Sequence, residues 1–167
     1  VEYILSDTHF HHENIIKYCN RPFNNAEDMD SKLYYNWLNT IKSDDIVYFL
    51  GDLSLKNTKK ILPTLSGNII FIRGNHDRKN GYPNLPYLIT NFDKYKCLLI
   101  HNPRDELVDK YINEVDFVIH GHTHNMFANH PNNFINVSVE LTNYKPLPIP
   151  VLIEILIERK DCISYRY

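Results

Sequence analysis

Five times along this chain, an apolar strand-like run ends in a short polar cluster whose side chains can bind metal. YILS runs into Asp7-Thr8-His9, IVYFL into Gly51-Asp52, and IIFIR into Gly74-Asn75-His76-Asp77. CLLI precedes His101, and DFVI precedes His120-Gly121-His122-Thr123-His124. Strands alternating with helix-like stretches predict an α/β domain, and in open α/β sheets the carboxyl ends of the strands gather side chains into one crevice. Carboxylates, an amide and imidazoles delivered there suit hard or borderline divalent metals. The set is too large for one ion. Two ions sharing a carboxylate would use all of it.

The remaining composition sets bounds. With 167 residues, the chain reads as one domain, 1–167, large enough for a real core. A formal net charge of -2 argues against a protein built to grip long nucleic acids, which needs a basic stripe. Basic spots at Lys56/Lys59/Lys60 and Arg73/Arg78/Lys79 read as solvated faces. Cys19, Cys97 and Cys162 follow no metal or redox spacing and are expected to be buried or half-buried free thiols of a reducing compartment. No apolar run is long enough to span a bilayer, and the N-terminus lacks the layout of a signal peptide. The start at Val1 suggests processing or trimming. The expected location is cytoplasmic.

Periodicity places the elements. Strands are expected at 2–6, 45–50, 68–73, 116–120 and 134–140, with extended segments near 88–90 and 96–100. Met29, Leu33, Trp37, Leu38 and Ile41 recur as one face of a helix over 26–42, with Asn25 as its N-cap and Glu27 and Asp28 in the first turn. Shorter helices are expected around 14–18, 57–62 (curtailed by Pro63) and 105–113. The segment 146–150 reads as a connector into a closing hairpin, 151–158 with 162–167. The sum is a two-sheet sandwich flanked by helices.

The order of these motifs, Asp7-x-His9, Gly51-Asp52, Gly74-Asn75-His76-Asp77, His101 and Gly121-His122-x-His124, resembles the calcineurin-like metallophosphoesterases. The stretch SDTHFHHENIIKYCNRPF is similar to a compact bacterial and phage branch of them. The resemblance implies a four-layer αββα sandwich and a binuclear metal centre. The first ion would be held by Asp7, His9, Asp52 and His124, and the second by Asp52, Asn75, His101 and His122, with Asp52 bridging. Such ions, about 3.5–4 Å apart, clamp an in-line displacement at phosphorus by a hydroxide lying between them. Mn2+ is the first choice, with Fe, Zn, Ni or Co as alternatives. His76, left without a metal, would protonate or hydrogen-bond the leaving oxygen. Asp77 would either hold that imidazole or cap its own loop. Leu55 stands where many relatives carry an aspartate (GDLSL), which disfavours the phosphoprotein-phosphatase branch. His120 is expected to pack or support a ligand, His130 to be exposed, and Thr123 to shape its turn.

Substrate choice falls to the loops at 10–25, 79–87 and 125–133, where His12, Asn20 and Arg21 are the candidate substrate contacts and His11 lies beside them. An arginine fork suits a phosphate. Short spacing between motifs leaves no room for a cap domain. The first expectation is a phosphodiesterase acting on small, nucleotide-like or cyclic-nucleotide phosphoesters. The alternatives are a small-metabolite phosphomonoesterase, a nuclease, or a non-catalytic metal-binding scaffold like the retromer subunit that resembles these enzymes.

Overall fold

A computed structural model describes residues 1–77, 81–126 and 130–164, with side chains through 162. Arg78 and Lys79, the loop positions 79–80 and 127–129, and the last expected strand residues 165–167 lie outside the described residues. The strands are β1 (Glu2–Leu5), β2 (Ile46–Phe49), β3 (Asn68–Phe71), β4 (Leu88–Phe92), β5 (Tyr95–Leu99), β6 (Phe117–His120), β7 (Phe134–Asn136) and β8 (Leu147–Pro148). The helices are α1 (Glu13–Tyr18), α2 (Ala26–Thr40), α3 (Thr58–Ile61), α4 (Glu106–Tyr111) and α5 (Ile149–Ser164).

Two four-stranded sheets form, ordered β3-β2-β1-β8 and β4-β5-β6-β7. β1, β2 and β3 pair in parallel, as do β5, β6 and β7, while β8 and β4 are antiparallel edges. Side-chain alternation explains the layers. From the first sheet, Leu5, Val47, Phe49 and Phe71 meet Met29, Leu33 and Trp37 of α2 on one face. Ile4, Tyr48 and Leu50 turn the other way, toward Cys97, Leu99, Phe117 and Ile119 of the second sheet. The outer face of the second sheet, with Leu98, Ile100 and Val118, packs on Val108 of α4. The fold is the expected four-layer αββα sandwich. As anticipated, the Asn25 side chain accepts from the Asp28 backbone N–H and caps α2. Leu38, expected on the buried face, is 57% exposed.

The expected closing hairpin is wrong. Residues 149–164 form α5, and Ile149, Leu152 and Leu156 enter the core between the sheets. The run VLIEILIE fits both periods: its β-branched residues suggest a strand, but the buried positions fall at i, i+3 and i+7. What decides is the open side of the sandwich, which a single apolar helix face covers. The strand expected over 134–140 likewise stops at Asn136, and Val139–Thr142 makes a 3-10 turn. Cutting Leu152, fully buried, to alanine should cost about 2–5 kcal/mol. Denaturant unfolding reads this directly, and a loss below about 1 kcal/mol would contradict the docked helix.

Candidate metal centre

All five clusters converge where the two sheets meet. The Asp7 N–H donates to the Gly51 carbonyl (3.0 Å), and the His9 N–H donates to the Asp52 carbonyl (3.0 Å). Ser6 bridges to Ser138 beyond β7, and the Gly121 N–H donates to the His101 carbonyl at 3.0 Å. The backbone is bent sharply here. Asp7, His9, Asp52, His122 and His124 all have φ between 49° and 67°, in the left-handed region that side chains seldom adopt. Each such residue costs about 1–3 kcal/mol unless its surroundings hold it, and such strain collects at functional sites. Two glycines allow the close packing. A Cβ on Gly74 would lie 2.1 Å from Asp52 Oδ1, and one on Gly121 2.3 Å from Asp7 Oδ2.

Two ligand clusters result. Asp7, His9 and His124 offer donor atoms within 4.8 Å of one another, and so do Asp52, His101 and His122. Asp52 Oδ2 is 3.5 Å from His9 Nε2 and 3.3 Å from His101 Nε2, so a single carboxylate oxygen faces both clusters. Asn75 Oδ1 lies 3.0 Å from both His101 Nε2 and His122 Nδ1, which adds the amide to the second cluster. All seven residues expected as ligands are brought together.

The donors fit cations. Asp7 Oδ1 and His9 Nε2 are buried and, among the described residues, have no hydrogen-bond partner, a costly arrangement unless something else satisfies them. The other Asp7 oxygen accepts from Ser6, Ser138 and the His122 N–H, which leaves Oδ1 aimed into the cluster. His101 Nδ1 is 2.7 Å from the Leu50 carbonyl, which can only accept, so Nδ1 carries the proton. His101 Nε2 then faces two acceptors, Asn75 Oδ1 and Asp52 Oδ2, with no proton left for either in the neutral ring. A positive charge between them, a proton on Nε2 or a metal ion in its place, satisfies all three atoms. Burial disfavours a charged His101, but its bond to Asp52 and the charges of Asp7 and Asp52 outweigh this and push its pKa up to about 9. Burial would raise the Asp7 carboxyl, yet the proximity of His9 (Nε2 3.8 Å from Oδ1) and the charges of His101 and His124 hold it well below the carboxylate range. Sites shaped this way favour positive charge.

Behind the first cluster stands a pair of residues that the sequence reading did not connect. Glu140 Oε1 lies 2.8 Å from His124 Nδ1 and accepts from Arg21 Nε (2.9 Å) and Nη2 (2.7 Å). Arg21 also donates to the carbonyls of Thr8 (2.9 Å) and Asp7 (2.7 Å), and its side chain is fully buried. The expectation that Arg21 contacts substrate is therefore corrected. The guanidinium lies beneath the metal centre, bracing the loop that carries Asp7 and His9, and cannot reach a bound ester. Glu140 orients His124 through Nδ1, so that Nε2 faces the cluster 3.7 Å from Asp7 Oδ1 and is the nitrogen that could hold a metal. Burial disfavours charge on His124, but bonds to Cys19 and Glu140 push its pKa up to about 10. Cys19 also lies within ligand distance of His124 and Glu140. No spacing rule announces Glu140, because it stands in a 3-10 turn far from any motif.

Asp77 takes the second of its two expected roles. Its buried carboxylate accepts from the N–H groups of Asp52 (2.6 Å), Gly74 (2.9 Å) and Leu53 (3.3 Å) and from Thr58 Oγ1 (2.9 Å). It caps and ties two ligand loops, and this corrects its assignment as a catalytic partner of His76. His76 itself is at the surface of the centre, its side chain 40% exposed and Nε2 3.9 Å from Asp52 Oδ2. His12 is half-buried beside it, with Nδ1 3.2 Å from His9 Nδ1 and ring centroids 6.5 Å from His76. His11 turns away to Asp30, and Asn20 is exposed just past α1 at a left-handed turn (φ 49°). His120 is buried with Nδ1 on the Gly121 carbonyl, in a supporting place as expected. His130, expected to be exposed, instead stacks on Phe134. Thr123 accepts from Asn136 and shapes the turn. Cys19 and Cys97 are buried free thiols, whereas Cys162 is exposed.

The model of the Calcineurin-like phosphoesterase superfamily domain matches residues 3–139. The chain belongs to that superfamily. A relative of this calcineurin-like domain, an uncharacterized protein of Methanocaldococcus jannaschii, is 43% identical over 168 residues, spanning 92% of this chain and 90% of that protein. Among solved structures, a protein of unknown function from Aquifex aeolicus superposes with a TM-score of 0.72 at 28% identity, covering 92% of this chain and 98% of that one. An archaeal phosphodiesterase is more distant, with a TM-score of 0.46, 22% identity, and coverage of 82% and 81%.

For this calcineurin-like domain, Glu140→Gln should weaken metal binding at the first cluster about 10–100-fold while sparing the second. Titration with Mn2+ in calorimetry separates the two affinities. Arg21→Ala should show the same pattern rather than a change in substrate preference, and an equal loss at both clusters would contradict the pairing.

Proposed function

We propose that the protein is a phosphoesterase using two divalent metal ions, Mn2+ foremost, with nucleotide-like phosphodiesters as its preferred substrates. The observation that carries this reading is His76: it stands half-exposed over the shared Asp52 oxygen, beside a complete set of buried ligands. A scaffold that only held metal would have no use for it. Asp7, His9, Asp52 and His124 would hold one ion, and Asp52, Asn75, His101 and His122 the other. Bound ions supply Lewis acidity toward phosphoryl oxygens and lower the pKa of water.

The chain's own residues do the rest. His76 faces the leaving oxygen and delivers a proton or a hydrogen bond as the P–O bond breaks. Its backbone N–H donates to Asp52 Oδ1 at 2.9 Å, which keeps the ring loop and the shared carboxylate in register. His12 supports His9 through its Nδ1 contact, and with Asn20 it remains a candidate substrate contact on the rim. Burial, together with the nearby charges of His9, His76 and Arg21, lowers the pKa of His12, so it offers a neutral ring. Buried free thiols suit a reducing, cytoplasmic setting. No helix among the described residues is long and apolar enough to cross a membrane.

The test is a screen of the protein loaded in turn with Mn2+, Fe2+, Zn2+, Ni2+ and Co2+. The panel should include bis(p-nitrophenyl) phosphate, p-nitrophenyl phosphate and cyclic nucleotides, with bound metal counted in parallel. Two ions per chain and chelator-sensitive cleavage that favours diesters are expected. Two ions without turnover on any ester would favour the scaffold, and faster turnover of the monoester would favour the phosphatase.

A further inference from the structure

We propose that a cavity beside His76 binds a second phosphate of the substrate, carried on the leaving-group side of the scissile bond. This rests on the phosphoesterase reading, which turns His76 toward the leaving oxygen. The cavity holds about 230 Å³, and its walls include His76, Lys56, Lys59, Lys60, Leu55 and Tyr82. One residue thus belongs both to the metal centre and to this cavity, so a leaving group protonated by His76 passes directly into it.

Three features mark the cavity as an anion subsite. Lys56, Lys59 and Lys60 all line it, yet among the described residues none of their ammonium groups is paired with a carboxylate. The chain as a whole is slightly acidic, at -2, so three unmatched cations at one wall are a local excess rather than the general character of the surface. The exposed Lys59 side chain passes over Gly81, where a Cβ would come within 2.9 Å of its Cδ and 3.4 Å of its Nζ. Gly81, at φ +102°, makes room for that side chain. Leu55, 36% exposed, and the half-buried Tyr82 give the cavity an apolar flank. An organic group followed by a phosphate matches that combination, as in a nucleotide product. The substrate class is then a phosphodiester whose departing half bears its own phosphate.

The experiment uses two thymidine dinucleotides with the same scissile bond, one with and one without a phosphate on the departing nucleoside. With the Mn2+-loaded wild-type protein, the added phosphate should raise kcat/KM about tenfold to a hundredfold, the scale of one charge-assisted hydrogen bond or more. In the variant Lys56→Gln/Lys59→Gln/Lys60→Gln that ratio should fall toward one. Inorganic pyrophosphate should bind the wild-type protein more tightly than the variant by a similar factor in calorimetry. A wild-type ratio of one, or a ratio unchanged in the variant, overturns the subsite. If the wild-type protein cleaves neither dinucleotide, the phosphodiester reading fails, and the pyrophosphate titration alone decides the cavity: equal binding by both proteins overturns it, and weaker binding by the variant supports it.

Discussion

Asp52→Asn should strip the centre of both metal ions and reduce phosphoesterase turnover by at least about 10²–10³-fold, the scale of losing one preorganised electrostatic group. The reason lies in the position of one oxygen. Asp52 Oδ2 is the atom that faces His9 in one cluster and His101 in the other, at 3.5 and 3.3 Å. An asparagine keeps the size but removes the charge, and it places an NH2 group where one of the two oxygens stood. Burial raises the Asp52 carboxyl, but its bond to His101 and the charges of His101 and His9 keep it low, so the native group is the anion that two cations require. The measurement is elemental analysis after gel filtration, together with turnover at saturating Mn2+. A variant that retained two ions and near-native rates would mean that the clusters bind independently. The binuclear reading would not survive that result.

His76→Ala should leave metal content intact and slow cleavage of esters with poor leaving groups about 10²–10⁴-fold, the range expected for loss of a general acid. The side chain is no part of either ligand cluster and is 40% exposed, so its removal costs neither packing nor metal. Its backbone N–H, which donates to Asp52, survives the substitution. A nitrophenolate leaving group hardly needs a proton, so the nitrophenyl ester should suffer much less than a nucleoside ester. This difference between substrates is the informative reading. Equal losses on both would mean that the ring stabilises charge on the phosphoryl group instead of protonating the leaving oxygen.

The elements around these residues were legible to different degrees. Local signals were sufficient where one short segment sets its own structure. Asn25 caps α2 because its side chain reaches the Asp28 N–H three residues on, and that needs nothing distant. β1, β2 and β6 read correctly because each is a mostly apolar run ended by polar residues. At 149–164 the same logic failed, because VLIEILIE satisfies both a strand and a helix period, and only the exposed side of the sandwich selects the helix. His130 reads as a loop histidine until Phe134 supplies a ring to stack on.

The sequence by itself determined which residues gather at the candidate metal centre. Asp7, His9, Asp52, Asn75, His101, His122 and His124 each follow a strand run, and their chemistry, with the parallel strands delivering them to one end, leaves little else for them to do. What only the tertiary structure decided is which polar residues support that set. Arg21 and Glu140 are 119 positions apart and meet because Ser6 and Ser138 join the two sheets beside the site. Nothing local to Arg21 distinguishes a buried brace from a substrate clamp. Asp77 likewise became a loop tie only when Asp52, Leu53 and Thr58 were folded against it. The physical reason is common to both. A ligand's role follows from its own donor atoms, whereas a supporting residue's role is defined by the unsatisfied groups that the fold brings to it.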